Sequence, residues 1–151
     1  MTRIYVPANL AMLRTLADSG ELGPAAPVHM VTAELRAAAP DAGLEDLEYT
    51  AFADAALAAV ALLVGQVPRR AVVSADVPER LLSEREGTAA DLDGVVKLAR
   101  VAAVHVDDAD AAEAIAASDP PDLDEVERHV LDWYAPSELN ELLGVLGSSR
   151  P

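Results

Sequence analysis

The apolar run Ala71-Val72-Val73-Ser74-Ala75 decides the fold class that we expect for this chain. A strand that is covered on both faces of a sheet shows such a near-continuous apolar run, whereas a half-exposed strand alternates apolar and polar residues. We therefore predict a strand within residues 70–77 and place it at the centre of a sheet.

Segments on either side of this run supply further strands and the helices between them. Runs of β-branched residues predict strands at residues 3–6, 28–31, 95–98 and 101–106. Apolar residues at helical spacing predict helices between and after them, the longest over residues 41–65. Strands that alternate with helices are typical of an α/β domain. We expect a single domain over residues 1–151, with an open, mostly parallel or mixed sheet of about five strands and helices on its faces.

Three segments outside this pattern carry predictions of their own. Residues 78–93 are rich in charged side chains and are predicted as a polar surface excursion. Asp122 and Glu125 have the spacing of a capping box, so a helix is predicted from there with Trp133 on its apolar stripe. Residues 148–151 are expected to form a flexible C-terminal end.

Composition and charge restrict the classes of function. The 151 residues carry a formal net charge of −15, from 26 acidic against 11 basic residues, and contain no cysteine. Scattered basic residues in an acidic chain disfavour nucleic-acid binding, and the missing thiols exclude disulfides and thiolate metal sites. The longest uncharged apolar stretch, residues 55–64, is shorter than the roughly 20 residues of a membrane-spanning helix. We expect a cytoplasmic protein with no membrane contact. The negative charge either reflects a general compositional bias of GC-rich coding or attracts a basic protein partner.

Familiar catalytic motifs do not occur in the sequence, so no residue is assigned a catalytic role. The glycines form neither a dinucleotide fingerprint nor a phosphate-binding loop, and no serine stands in a nucleophile elbow. Asp76, Asp107 and Asp108 follow predicted strands, where the carboxyl ends of parallel strands would gather them at one edge. Carboxylate oxygens there suit Mg²⁺ or Ca²⁺. The alternative is local, with one of the two adjacent aspartates capping the helix that follows them.

Three further residues are candidates for contact with a ligand or partner. His105 lies on a predicted strand next to the two aspartates, and its alternative role is that of a hydrogen-bonded core residue. Trp133 and Tyr134 place two of the five aromatic residues side by side, and aromatic residues are common at binding surfaces. Their alternative role is to fill the core where the two C-terminal helices meet.

The chain also resembles a family of small, acidic, uncharacterised actinobacterial proteins that forms a domain of unknown function. The segments that carry the resemblance are Arg3 to Ala8 followed by Leu10, Met12 and Leu13, then Ala75-Asp76-Val77-Pro78, His105-Val106-Asp107-Asp108 and Trp133-Tyr134. The resemblance implies a cytoplasmic protein. It implies no activity, substrate or site residue, so the function has to be argued from the residues.

The sequence favours a non-enzymatic binding or regulatory module that acts through protein contacts and needs no cofactor. One alternative is a metal-assisted enzyme that acts on an anionic small molecule through the three aspartates and Mg²⁺ or Ca²⁺. Another is a homo-oligomeric structural subunit, for example a homodimer formed through the apolar faces of the C-terminal helices.

Overall fold

Nine strands and six α-helices make up the chain in this computed structural model, which describes residues 1–148. The strands are β1 Thr2–Ala8, β2 Glu21–Leu22, β3 Val28–His29, β4 Ala71–Val77, β5 Leu82–Glu84, β6 Ala89–Leu92, β7 Val96–Lys97, β8 Val101–Val106 and β9 Asp132–Tyr134. The helices are α1 Leu10–Ser19, α2 Ala33–Ala38, α3 Leu44–Ala58, α4 Ala109–Ala116, α5 Leu123–Glu127 and α6 Leu139–Ser148. None of the helices described is long and apolar enough to cross a membrane.

The main sheet has seven strands in the order β5-β6-β3-β1-β4-β8-β9, and each neighbouring pair is antiparallel. Strands β2 and β7 form a separate two-stranded sheet. The long strands β1 and β4 pair along their whole length, from Thr2 opposite Val77 to Ala8 opposite Ala71. The predicted central strand therefore lies in the middle of the sheet, between β1 and β8.

The expected sheet of about five mostly parallel or mixed strands is wrong, because the main sheet is antiparallel and has seven strands. An apolar run such as Ala71 to Ala75 reports burial on both faces, and it carries no information about the direction of the neighbouring strand. Strands β5, β6 and β9 were missed because each has only three or four residues, and polar or charged side chains break their patterns.

Apolar packing buries the central strands on one face of the main sheet. Ile4, Val6, Val73 and Val104 point to this face and are fully buried. They lie in one core cluster with the buried leucines of α1 and of α6. Local capping defines both ends of α1, since the Asn9 side chain accepts a hydrogen bond from the Met12 amide and Gly20 ends the helix with a positive φ. We call this side the apolar face.

A smaller cluster packs on the opposite face. The buried alanines Ala51, Ala55 and Ala56 of α3 contact Tyr5 and Val72 of the sheet and Leu131 of the segment before β9. Helix α3 is shorter than predicted, because residues Ala59–Leu63 continue it as a 3₁₀ helix. Small side chains bring α3 close to the sheet, but the helix leaves part of this face uncovered.

The structure differs from the prediction in one further segment and gives detail for two others. The helix predicted from Asp122 through Trp133 ends at Glu127, and Trp133 lies on strand β9. Residues 78–93, predicted as a polar surface excursion, contain β5 and β6 and form one edge of the main sheet. Of the C-terminal end predicted as flexible, residue 148 is the last of α6, and residues 149–151 lie outside the described residues.

Candidate functional site: an aromatic groove on one face of the sheet

The uncovered part of the sheet forms an open groove of about 390 Å³, which we call the aromatic groove. Its floor consists of Arg3, Tyr5, Ser74, Ala103 and His105, one wall of Glu45, Glu48, Tyr49 and Phe52, and the other wall of Val130, Leu131 and Trp133. The chain has only five Phe, Trp and Tyr residues, and four of them line this groove. Most of the few aromatic residues of this chain therefore lie in the aromatic groove.

Strand alternation and register explain why these side chains meet. Tyr5 lies opposite Ser74, and Ser74 lies opposite Ala103, so the three positions share one face of the sheet. His105 lies two residues after Ala103 and opposite Trp133, which extends the same face to the edge strand β9. The groove floor therefore consists of alternate residues of strands whose other residues form the apolar core.

A serine and a histidine form a hydrogen-bonded pair on the groove floor. The Ser74 hydroxyl lies 3.0 Å from Nε2 of His105, and the Phe52 ring packs edge-on against the imidazole with its centroid 4.7 Å away. Burial lowers the pKa of His105 to about 4, with a further contribution from the positive charge of Arg3, so the imidazole is neutral at pH 7. Within residues 1–148 no carboxylate is hydrogen-bonded to this histidine, and the pair lacks the orienting third group of a nucleophilic triad.

The groove floor also carries an arginine that is already paired. Arg3 donates two hydrogen bonds to the carboxylate of Asp76, at 2.9 and 3.1 Å, and this contact lowers the pKa of Asp76. Tyr5 donates a long hydrogen bond of 3.4 Å to Glu48. Burial raises the pKa of Tyr5 to about 12, with help from the negative charge of Glu48, so the phenol keeps its proton.

The rim of the groove is aromatic and acidic. The side chains of Tyr49, Val130 and Trp133 are 67%, 74% and 61% exposed, and large apolar side chains that share one exposed site are typical of contact surfaces. Among the ion pairs within residues 1–148, none includes Glu45 or Glu48. Because Arg3 is neutralised by Asp76, these two carboxylates leave the groove with an uncompensated negative charge.

A buried ion pair holds the wall that contains Trp133. Arg70 and Asp107 are 2% and 0% exposed in their side chains, and the Arg70 guanidinium donates two hydrogen bonds to the carboxylate at 2.7 and 2.8 Å. A third hydrogen bond, 3.0 Å long, runs from the same guanidinium to the backbone carbonyl of His129. Arg70 thus ties the start of β4 and the end of β8 to the segment that leads into β9. It also lines a cavity of about 310 Å³ that adjoins the groove and shares Tyr49, Phe52, Val130 and Leu131 with it.

The three aspartates predicted as metal ligands are not brought together. Strands β4 and β8 run in opposite directions. Asp76, near the end of β4, and Asp107, just after β8, therefore lie at opposite ends of these two neighbouring strands. Asp76 binds Arg3 and Asp107 binds Arg70, while Asp108 caps α4 by accepting a hydrogen bond from the Ala111 amide at 2.9 Å. Within residues 1–148, no group of three or more His, Asp or Glu side chains is placed to hold a metal ion.

The three residues predicted to contact a ligand or partner separate into two surfaces. His105 and Trp133 lie in the aromatic groove. Tyr134, the next residue along the strand, points to the other face and packs against the core cluster of α1 and α6. Their contact with a partner stays a prediction.

Sequence reasoning missed Arg3, Tyr5, Glu48, Tyr49 and Ser74 as groove residues. One signal was present for two of them, because Arg3 and Tyr5 alternate with Ile4 and Val6 as a polar and an apolar face of one strand would. The signal for Tyr49 is misleading, since its three-residue spacing from Phe52 is typical of the core-facing side of a helix, whereas the structure leaves Tyr49 exposed.

Comparison with known proteins yields a family and no activity. No curated protein and no solved structure matches this chain. The model of a family of unknown function, DUF6912, matches residues 2–143, which includes every residue of the aromatic groove. This match confirms the resemblance to a domain of unknown function, and the chain belongs to the DUF6912 family.

Proposed function

We propose that this protein is a non-enzymatic binding module and that the aromatic groove takes up a basic segment of a partner protein. The observation that carries the proposal is the concentration of four of the five aromatic residues in a single open groove. Aromatic side chains supply large contact areas at little cost in side-chain entropy, and they dominate the energetics of protein interfaces.

The charge of the groove favours a basic occupant. Glu45 and Glu48 line one wall without an ion-pair partner in the described part of the chain. The exposed faces of Tyr49 and Trp133 attract cations through their π electrons, and the net charge of −15 steers basic partners toward the chain.

Side-chain contacts around the groove favour binding over catalysis. Asp76 and Asp107 are engaged by arginines, and Asp108 caps a helix, so the metal-assisted reaction gains no support from the positions of its three residues. His105 is uncharged at neutral pH and has no carboxylate to orient it within residues 1–148, which makes it a hydrogen-bonding group of the groove floor.

Trp133 is the only tryptophan of the chain, so its fluorescence reports directly on the groove. The probe is an acetylated and amidated hexapeptide of alternating lysine and valine, compared with its glutamate–valine counterpart. We expect the basic peptide to change the emission of Trp133 and the acidic peptide to leave it unchanged. Binding should weaken at least tenfold between about 20 and 200 mM salt, because exposed charges are screened.

Two double variants with the same change of net charge separate the groove from the general acidity of the chain. Glu45→Gln with Glu48→Gln removes the groove carboxylates, and Asp18→Asn with Glu21→Gln removes two exposed carboxylates outside the groove lining. We expect the first variant to lose at least fivefold in affinity and the second to bind nearly as the wild type does. Equal losses would show that only diffuse charge attracts the peptide, and no binding at low salt would refute the proposal.

A further inference from the structure

We infer that the basic segment binds as an extended strand added to the outer edge of β9, a mode of recognition that rests on the function proposed above. Strand β9 is the last strand of the main sheet and pairs only with β8 among the described residues. It also forms one wall of the aromatic groove through Trp133, so a segment in the groove lies against this edge.

The outer edge of β9 is open for backbone pairing. Within residues 1–148, the backbone–backbone hydrogen bonds of Asp132, Trp133 and Tyr134 are those of the ladder with β8. Successive residues of a strand direct their N–H and C=O groups to alternate sides, so part of these groups points away from β8. Asp132 and Trp133 are exposed, which agrees with an edge that no other part of the described chain covers.

The two faces of the sheet beside this edge differ in character, as an alternating basic and apolar strand requires. On the groove side, Trp133 faces the wall that holds Glu45 and Glu48. On the other side, Tyr134 lines a pocket together with Leu142, and the Glu138 carboxylate there accepts a hydrogen bond from the Ala135 amide. A strand added here places its lysines on the groove side and its valines against Tyr134 and Leu142.

The opposite edge of the sheet does not offer the same environment. In strand β5, the Glu84 carboxylate accepts a hydrogen bond from the Ala33 amide at 2.7 Å. Two basic residues flank this strand in the sequence, Arg80 before it and Arg85 directly after it. A second copy of this chain also fits β9 poorly, because this strand contains an aspartate and no basic side chain to pair with it. Two chains with a net charge of −15 each repel one another as well.

The test compares the lysine–valine hexapeptide with two isomers of it. One isomer is methylated on the backbone nitrogens of its three lysines, and the other on those of its three valines. In an added strand only every second N–H faces β9, so we expect the affinities of the two isomers to differ at least tenfold. Amide hydrogen exchange of the whole chain is measured with the unmethylated peptide, and we expect slower exchange within Asp132–Tyr134 and unchanged exchange within Leu82–Glu84 of the opposite edge.

Failure of this inference is distinct from failure of the proposed function. If the unmethylated peptide binds while both isomers bind equally, or while exchange in β9 is unchanged, the strand addition is refuted and the groove remains the binding site. If the unmethylated peptide does not bind, both proposals are refuted. If light scattering shows that the chain dimerises, and the amides of Asp132–Tyr134 exchange more slowly in the dimer without peptide than in the monomer, a second copy occupies the edge and the inference is overturned.

Discussion

The two faces of the main sheet are made by the same strands and have opposite characters. On the apolar face, Ile4, Val6 and Val73 are fully buried under α1 and α6. On the groove face, the neighbouring residues Tyr5 and Ser74 lie on the floor of an open groove. The difference shows that alternate residues of one strand can line a closed apolar core on one face and an open groove on the other.

Polar contacts hold the groove face where apolar packing is incomplete. The buried pair of Arg70 and Asp107 connects two strands to the wall before β9, whereas the pair of Arg3 and Asp76 is about 40% exposed and lies on or beside the groove floor. Burial of a charge costs free energy unless the charge is fully paired, so the two pairs differ in what their loss does to the fold.

The largest expected effect comes from breaking the buried pair. Asp107→Asn leaves the Arg70 charge buried without its counter-charge, and we expect the free energy of unfolding to fall by about 3–5 kcal/mol. Urea denaturation measures the loss. The matched variant is Asp76→Asn in the exposed pair, for which we expect less than about 1 kcal/mol. Equal losses in the two variants would show that burial does not distinguish the pairs.

Truncation of a buried side chain on the apolar face should lower the free energy of unfolding nearly as much as Asp107→Asn does. Leu16 of α1 is fully buried in the core, and Leu16→Ala should lower the free energy of unfolding by about 3 kcal/mol through lost burial and a cavity. Leu44→Ala is the matched control, because Leu44 is 56% exposed. This variant should lower the free energy of unfolding by less than about 1 kcal/mol. Urea denaturation of both variants makes the comparison. A small loss at Leu16 would mean that α1 does not anchor this face.

Acid should lower the free energy of unfolding, because His105 on the groove face becomes protonated more readily in the unfolded chain than in the folded one. The folded pKa of about 4 lies below the unfolded value of 6.5, so the unfolded chain binds more protons between these pH values. Stability therefore falls as the pH drops from 6.5 to 4 and levels off below, by about 2–3 kcal/mol for this group. Urea denaturation at several pH values, compared with His105→Gln, isolates the contribution. The same pH dependence in wild type and variant would contradict a buried neutral imidazole.

The smallest effect on stability is expected at the rim of the groove. Tyr49 is 67% exposed, so Tyr49→Ala should change the free energy of unfolding by no more than about 0.5 kcal/mol. The same variant should weaken binding of the lysine–valine peptide, measured through the fluorescence of Trp133. A large loss of stability would place Tyr49 in the core, as its helical spacing suggested, and would remove the rim from the binding site.

Local signals in the sequence were sufficient for the long elements near the start of the chain. The strand of Arg3 to Val6 is part of β1, Asn9 caps the helix that follows, and Gly20 ends it. Asp122 caps α5 in the same way, by accepting hydrogen bonds from the amides of Asp124 and Glu125. These features involve residues within one turn of each other, which is why the sequence alone predicts them.

Signals that depend on distant partners were insufficient. The helical spacing of Val126, Val130 and Trp133 predicted one helix, but the ladder with β8 turns Asp132–Tyr134 into a strand. The expected meeting of the aspartates required parallel strands, since only those end on a common side of the sheet, whereas the antiparallel pairing of β4 and β8 leaves Asp76 and Asp107 at opposite ends of the strands. Of the predicted contact residues, His105 and Trp133 meet in the groove because they pair across two strands.

The sequence by itself determined which segments have apolar side chains, where the capped helices α1 and α5 begin, and that the chain is strongly acidic and poor in aromatic residues. Only the tertiary structure decided the direction of each strand and therefore which side chains share a face. The reason is that an apolar pattern specifies burial, whereas the register between distant strands specifies neighbours. Four aromatic residues from three separate segments of the chain meet in one groove only when that register is formed.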